Sequence, residues 1–130
     1  MRVLYIEDNA MNRQVVGDML QISGASMVGA PDAESGLRAV DEEAFDLVLM
    51  DIRMPGMDGL TAIGHLRQKD EPVSSVPVIV VTADTSADLR ERCEIARADD
   101  VIMKPVSLQQ LLSSIGRVMA QKSGTRMLID

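Results

Sequence analysis

The sequence is poor in the residues that form disulfide frameworks, zinc sites and aromatic cores. Its 130 residues include no tryptophan, one tyrosine, one phenylalanine, one cysteine and one histidine. Because Cys93 stands alone, an internal disulfide framework and a cysteine metal cluster are excluded, and a reducing, cytoplasmic setting is expected. The single histidine, His65, falls within a predicted helix, which argues against the usual zinc sites.

The chain also lacks a long apolar run and an excess of positive charge. No apolar stretch is long enough to cross a bilayer and the N-terminus has no secretory signal pattern, so no membrane insertion is expected. The formal net charge of −7 argues against direct nucleic-acid binding through bulk electrostatics. At 46% hydrophobic residues, the chain suits one soluble domain. We predict a domain over residues 1–121 and a frayed C-terminal tail over residues 122–130.

Apolar, β-branched runs alternate with helical patterns along the whole chain. This alternation indicates a βα repeat and a parallel sheet. We predict an α/β protein with a flavodoxin-like (βα)5 doubly wound parallel sheet and strand order 2-1-3-4-5. The predicted strands are about Val3–Ile6, Ser26–Ala30, Leu47–Met50, Val78–Val81 and Val101–Met103.

Two of the predicted helices have a clear apolar face. In the first helix this face consists of Met11, Val15, Val16, Met19 and Leu20. In the fifth helix it consists of Leu108, Leu111, Leu112, Ile115, Val118 and Met119. Asp8 or Asn9 is expected to cap the first helix, and Ser107 and Gln110 stand at capping-box spacing before the fifth. The third and fourth helices are predicted over about residues 60–69 and 86–97.

Polar side chains stand where four of the predicted strands end. Glu7 and Asp8 follow the first strand, Asp51 the third, Thr82 the fourth and Lys104 the fifth. Ligands of such sheets bind at the carboxyl ends of the strands, where the strand order reverses, and strands 1 and 3 flank that point. The three acids are therefore expected to lie together.

Three neighbouring carboxylates repel one another unless a cation lies between them. Every available ligand is an oxygen, which favours a hard cation such as Mg²⁺, and magnesium sites of this kind commonly work with phosphate. Lys104 can neutralise a phosphoryl oxygen, and Thr82 can donate a hydrogen bond to another. Asp51 can attack phosphorus, because carboxylates act as nucleophiles through acyl phosphates. Positioning and charge neutralisation are most of what phosphoryl transfer requires.

Four motifs resemble those of the response-regulator receiver (CheY-like) domains of two-component and phosphorelay systems. They are Ile6–Asn9, Leu49–Gly59, Val80–Ala83 and Met103–Pro105, and they occur in order within about residues 2–120. A single motif of this kind would be weak, whereas four in register are highly specific.

The resemblance assigns a role to each of the strand-end residues. It implies that Asp51 is the phosphoacceptor and that Thr82 and Lys104 are the other catalytic residues. It implies that Glu7 and Asp8 bind Mg²⁺ directly or through water, together with Asp51, and that the backbone carbonyl of Arg53 completes the protein's share of the metal site. The Lys104-Pro105 peptide bond is expected to be cis.

The resemblance also implies a signalling switch that catalyses its own phosphorylation and dephosphorylation. The phosphodonor would be a phosphohistidine on a histidine kinase or histidine phosphotransfer protein. The expected function is that of a single-domain response regulator, whose phosphorylation alters how a downstream protein binds the face formed by helices 4 and 5 and strand 5. Two alternatives stay open: a phosphorylation-independent binding module of the same fold, and an isolated receiver domain of a hybrid kinase.

Three features qualify the family pattern. Val101 stands where members usually carry a tyrosine or phenylalanine whose rotation couples to Thr82, so we expect switching through the backbone of the loop after strand 4. Arg97 stands where a glycine usually follows helix 4. A left-handed helix end costs an arginine about 1 kcal/mol, so the helix is expected to end differently or to be loosely held. Arg53 and Asp84 are expected to pair across the mouth of the site.

Overall fold

A computed structural model describes residues 1–129, with side chains for residues 1–122. Strands and helices alternate along the chain, and a short 3₁₀ helix, Val73–Ser75, precedes the fourth strand. The strands are β1 (Arg2–Ile6), β2 (Ser26–Ala30), β3 (Leu47–Met50), β4 (Val78–Thr82) and β5 (Asp100–Met103). The helices are α1 (Ala10–Ile22), α2 (Ala33–Glu42), α3 (Gly59–Arg67), α4 (Leu89–Ala96) and α5 (Leu108–Ile129).

The five strands form one parallel sheet in the order β2-β1-β3-β4-β5. This confirms the predicted fold class and strand order. The register pairs Ile6 with Met50 and Met50 with Val80, so β1 and β3 end at one level and β4 continues two residues further, to Thr82. The residues that follow these strands therefore emerge side by side at the carboxyl edge of the sheet.

Each face of the sheet carries its own apolar cluster. Alternate strand residues Leu4, Ile6, Val48 and Met50 belong to a cluster that includes buried side chains of α2, α3 and α4. Their neighbours in sequence face a second cluster, which includes buried side chains of α1 and α5. Burial on both faces explains why the strands are almost continuously apolar rather than alternating.

Helices α1 and α5 bury narrower faces than their sequence patterns predicted. In α1, Val16 and Leu20 are buried, whereas Met11 is 75% exposed and Val15 is 45% exposed. In α5, Leu111, Ile115 and Val118 are buried, whereas Leu112 is exposed. A helix lying on one sheet buries a stripe, and apolar residues beside that stripe stay at the surface.

The expected caps of these two helices are present. The Asn12 backbone N–H donates to Asn9 Oδ1 at 2.9 Å, so Asn9 caps α1 rather than Asp8. The Gln110 N–H donates to Ser107 Oγ at 3.1 Å at the start of α5. Each cap satisfies a backbone donor that has no partner within its helix.

Helix α4 begins later than predicted, at Leu89 rather than at about Ser86. Asp84 Oδ1 accepts hydrogen bonds from the backbone N–H of Ser86 at 2.8 Å and from its hydroxyl at 2.5 Å. This local bonding competes with a helical turn, so the chain stays non-helical until Leu89.

The end of α4 contradicts our expectation for Arg97. Arg97 adopts the left-handed conformation, with φ 67° and ψ 40°, at the position where glycine is usual. Its carbonyl accepts hydrogen bonds from Arg67 Nε at 3.1 Å and Nη2 at 2.8 Å, and the Ala98 N–H donates to the Cys93 carbonyl at 3.0 Å. These hydrogen bonds hold the end of α4 in a left-handed conformation that is unfavourable for an arginine without such support.

Most of the predicted tail, residues 122–130, lies outside the part whose side chains are described, so the domain boundary after residue 121 stays a prediction. Within the described residues, none of the helices combines the length and the apolar character needed to span a membrane.

Candidate functional site

The carboxyl ends of β1 and β3 bring three acids into one cluster. The Asp51 N–H donates to the Ile6 carbonyl at 3.0 Å, which places Asp51 beside the start of the Glu7-Asp8 segment. One carboxylate oxygen from each of Glu7, Asp8 and Asp51 lies within 4.8 Å of the others. Glu7 is 1% exposed and Asp51 is 4% exposed, whereas Asp8 is open to solvent. The predicted convergence of these acids is present in the structure.

Glu7 is the most heavily hydrogen-bonded acid of the cluster. Its carboxylate accepts from Lys104 Nζ at 2.5 Å, Asn12 Nδ2 at 3.1 Å, the Tyr5 hydroxyl at 3.2 Å and the Asn9 N–H at 3.3 Å. Burial by itself would raise the pKa of Glu7, but hydrogen bonds with the side chains of Lys104, Asp8 and Asp51 and with the Asn9 N–H outweigh it and lower the pKa to about 2. Glu7 therefore carries a negative charge at neutral pH.

Asp51 has fewer donors and lies next to that charge. Lys104 Nζ is 3.2 Å from Asp51 Oδ2, and the Arg53 N–H reaches Oδ1 at 3.4 Å. Burial, followed by the hydrogen bond and charge of Glu7, raises the pKa of Asp51 to about 6, although Lys104 acts in the opposite direction. Burial by itself would lower the pKa of Lys104. The hydrogen bonds and charges of Glu7 and Asp51 outweigh burial, so the pKa of the Lys104 ammonium group is raised.

Thr82 and Lys104 lie at the same edge of the sheet, on the ends of the two remaining site strands. Thr82 is buried, and its Oγ accepts a hydrogen bond from the Asp84 N–H at 3.1 Å. The Lys104 N–H donates to the Thr82 carbonyl at 2.8 Å, and the Lys104–Pro105 bond is cis as expected. The five predicted strand-end residues thus occupy one region.

A second charged group lies beside this region, around the buried carboxylate of Asp84. Asp84 Oδ2 is 3.1 Å from Arg92 Nη2 and 3.7 Å from Arg53 Nη2, so the expected Arg53–Asp84 pair is present but is the longer of the two. Hydrogen bonds from Ser86, and then from Arg92, hold the pKa of Asp84 well below its usual range.

The role of Arg92 was missed at the sequence level, because the charge run in α4 resembles an ordinary solvated face. Asn12 and Tyr5 were also missed as partners of Glu7. Their sequence signals were weak. Asn12 is on α1, five residues after Glu7. Tyr5 is on β1, two residues before Glu7, and a spacing of two in extended chain places the side chains of Tyr5 and Glu7 on the same side.

The donor set of the acidic cluster fits Mg²⁺. Two buried carboxylates and one exposed carboxylate present oxygens at close range, which suits a hard cation that keeps several waters. The cluster includes neither histidine nor cysteine: His65 lies exposed on α3, and Cys93 is buried in α4. The residues present therefore favour magnesium over zinc.

Comparison with known proteins identifies the family. The model of the response regulator receiver domain matches residues 3–116. The chain belongs to this family. It is 38% identical over 112 residues to the sensor protein GacS of Pseudomonas syringae, covering 85% of this chain and 12% of that protein. It is 37% identical over 112 residues to a cyclic di-GMP phosphodiesterase of Thermotoga maritima, covering 85% of this chain and 29% of that protein.

Solved structures of receiver domains superimpose closely on this chain. The receiver domain of the sensor histidine kinase PA1611 from Pseudomonas aeruginosa, which has a magnesium ion coordinated in its active-site cleft, is 30% identical with a TM-score of 0.83, covering 92% of this chain and 97% of that one. A CheY-like receiver domain from Methanospirillum hungatei is 27% identical with a TM-score of 0.86, covering 95% and 97%. The chain spans only 12% and 29% of the two curated relatives named above.

Proposed function

We propose that this receiver domain accepts a phosphoryl group from a phosphohistidine onto Asp51 in the presence of Mg²⁺, and that phosphorylation alters its binding to another protein. The donor would be a histidine kinase or a histidine phosphotransfer protein. The observation that carries the proposal is the position of Asp51, buried between the charged groups of Glu7 and Lys104 at the switch point of the sheet. A cytoplasmic location belongs to the same proposal.

In the proposed transfer, an Asp51 carboxylate oxygen attacks phosphorus, and the bond between phosphorus and the imidazole nitrogen breaks. The nitrogen keeps the electron pair of that bond, and Asp51 becomes an acyl phosphate. Lys104, already 3.2 Å from Asp51, balances charge on the phosphoryl oxygens, and the Thr82 hydroxyl donates a hydrogen bond to one of them.

Glu7, Asp8, Asp51 and the backbone carbonyl of Arg53 are the proposed ligands of Mg²⁺. When bound, Mg²⁺ supplies the positive charge that offsets repulsion among the acids and the incoming phosphoryl group. Asp8 is exposed, which suits contact with Mg²⁺ through a water molecule. Glu7 is buried and fully ionised, which suits a ligand with a fixed position.

The proposed output surface is formed by α4, β5 and α5. It includes two exposed apolar side chains, Ile95 on α4 and Leu112 on α5. A change in the position of α4 would alter which protein binds there. The downstream protein would be one whose binding depends on the phosphorylated form.

Two of the relatives at 32–38% identity are sensor proteins far longer than this chain, which spans 12% of each. This observation supports a role in a phosphorelay or in the control of a kinase. The alternative that the chain acts as a receiver of a hybrid kinase rests on the same observation.

The test is the intact mass of the protein after incubation with Mg²⁺ and a small phosphodonor such as acetyl phosphate. The wild type should gain one phosphoryl group, Asp51→Asn should gain none, and the exposed-acid control Asp46→Asn should behave as wild type. Chelation of divalent cations should abolish the adduct. Absence of an Asp51-dependent adduct would instead favour a phosphorylation-independent binding module, which the valine at position 101 also supports.

A further inference from the structure

Helix α4 is held to the rest of the molecule by few apolar side chains. It has eight residues, of which only Leu89 and Cys93 are buried, and its N-cap Asp88 makes no side-chain capping bond. A short helix with so little buried surface depends on polar contacts to keep its position. The polar contacts at its first turn therefore matter for how α4 responds to the site.

A continuous set of hydrogen bonds joins Thr82 to this first turn. The Asp84 N–H donates to Thr82 Oγ at 3.1 Å, and Asp84 Oδ2 accepts from Arg92 Nη2 at 3.1 Å. The carboxylate of Asp84 is buried, and its other oxygen is fixed by Ser86. A buried carboxylate cannot give up its cationic partner without being left uncompensated, so the Asp84–Arg92 pair resists separation.

The two arginines that face Asp84 differ in their freedom. The Arg53 side chain is 73% exposed and lies 3.7 Å from Asp84, whereas the Arg92 side chain is 35% exposed and lies 3.1 Å from it. Arg53, two residues after Asp51, can leave Asp84 for a new anion at Asp51 while Arg92 stays paired. The Asp84–Arg92 ion pair, which connects Asp84 to α4, is therefore kept when Asp51 gains a phosphoryl group.

Val101 cannot provide the link by side-chain rotation. It is half-buried against the apolar cluster that includes α3 and α4, and a β-branched side chain has a restricted χ1. Any displacement that starts at Thr82 must reach α4 by another route.

We propose that Asp84 is a positioning residue that ties α4 to Thr82 through Arg92, so that a movement of Thr82 upon phosphorylation displaces α4. This inference rests on the proposed phosphorylation of Asp51. These hydrogen bonds would act as a rigid connection. Thr82 and the backbone of Asp84 would move together, and the first turn of α4 would follow because Arg92 stays bound to the Asp84 carboxylate.

The test compares amide NMR spectra of isotope-labelled protein with Mg²⁺, before and after addition of beryllofluoride as a phosphoryl mimic. In the wild type, amides of Thr82 and Ala83 and amides of α4 should all shift. In Arg92→Gln, the shifts in α4 should fall by at least about twofold while those of Thr82 and Ala83 persist. Asp84→Asn should reduce the α4 shifts to the same extent, and the double variant should reduce them no further.

Two matched variants separate this role from a general effect on the helix. Arg92→Lys keeps the positive charge and should recover most of the α4 shifts. Arg90→Gln removes an exposed arginine that makes no ion pair in the described part of the chain, and it should leave the shifts unchanged. Sheet amides that match the wild type establish that each variant is folded.

The proposal is overturned if α4 responds fully in folded Arg92→Gln and Asp84→Asn, or if Arg90→Gln weakens the response equally. Failure of the proposed function gives a different result: the wild type then forms no Asp51 adduct by intact mass and shows no shift at Thr82.

Discussion

Asp51 is buried next to a second carboxylate that stays ionised, and among the residues whose side chains are described only Lys104 forms an ion pair with it. The folded state raises the pKa of Asp51 from 3.8 to about 6, so the folded protein binds this proton more tightly than the unfolded chain. Without a divalent cation, the charge of Asp51 therefore destabilises the fold above about pH 6, and the penalty fades as the pH falls toward 4.

Replacing Asp51 with asparagine should stabilise the metal-free protein at neutral pH. We expect a gain of roughly 1–3 kcal/mol in the free energy of unfolding, measured by urea denaturation with a chelator present. The gain should shrink between about pH 6 and pH 4 as Asp51 of the wild type becomes protonated. Asp70→Asn, at an exposed acid outside the cluster, should change little; a destabilised Asp51→Asn would contradict the account of the site.

Tyr5 offers a direct report on the metal site. It is the only tyrosine in a chain without tryptophan, and its hydroxyl donates to Glu7 Oε1 at 3.2 Å. Mg²⁺ should therefore change tyrosine fluorescence on titration. Asp8→Ala should weaken the apparent affinity by at least roughly tenfold, a loss seen even for residues that only support a metal site.

The same titration has a pH dependence with a defined sign. Because the pKa of Asp51 is about 6, protons should compete with Mg²⁺ below that pH and the affinity should fall. Asp70→Ala serves as the control acid outside the cluster. A titration unaffected by Asp8→Ala would remove Asp8 from the site.

The predicted and the missed site residues differ in how local their sequence signals are. Glu7, Asp51 and Lys104 each end an apolar strand, so the parallel topology alone brings them together. The Asp84–Arg92 contact depends on a turn that Asp84 makes with Ser86 and on where α4 then begins. A pattern of charges does not specify such a turn, so Arg92 could not be predicted as the nearer partner of Asp84, whereas the longer pair with Arg53 could.

At the scale of one element, the C-terminal end of α4 carries identifiable strain. Arg97 has φ 67°, and its charge lies near Arg67, which is largely buried. Arg97→Gly should stabilise the protein by about 0.5–1 kcal/mol, because glycine adopts this conformation freely. The carbonyl that accepts from Arg67 belongs to the backbone and is retained.

Glu94→Gly supplies the matched control for this prediction. Glu94 is an exposed residue inside the same helix, where glycine should cost about 1 kcal/mol relative to a good helix former. Thermal or urea unfolding of both variants tests the expected opposite signs. Equal destabilisation by the two glycines would show that the end of α4 is not left-handed in solution.

At the scale of the whole molecule, the strand order was predictable because two features of the sequence indicate the same topology: the continuously apolar strands and the positions of the acids at strand ends. The two strands at the switch point end in acids, whereas β2 ends in Gly29-Ala30 and offers no ligand. The apolar runs are buried on both faces, as a parallel sheet requires. Helix boundaries were less predictable, because side-chain hydrogen bonds set them, such as that of Asp84 with Ser86 before α4 and that of Arg67 with the Arg97 carbonyl after it.

The predicted domain boundary after residue 121 can be tested by truncation. In the described part of α5, Val118 is the last buried side chain, and Lys122 adds only a 3.4 Å ion pair with Asp99 and a long bond to the Ser75 carbonyl. Such exposed pairs contribute about 0–1 kcal/mol, so a chain ending at residue 121 should lose no more than this in urea unfolding. A chain ending at Ser114 should fail to fold, because it lacks Ile115 and Val118. If removing residues 122–130 costs much more than about 1 kcal/mol, those residues belong to the folded domain.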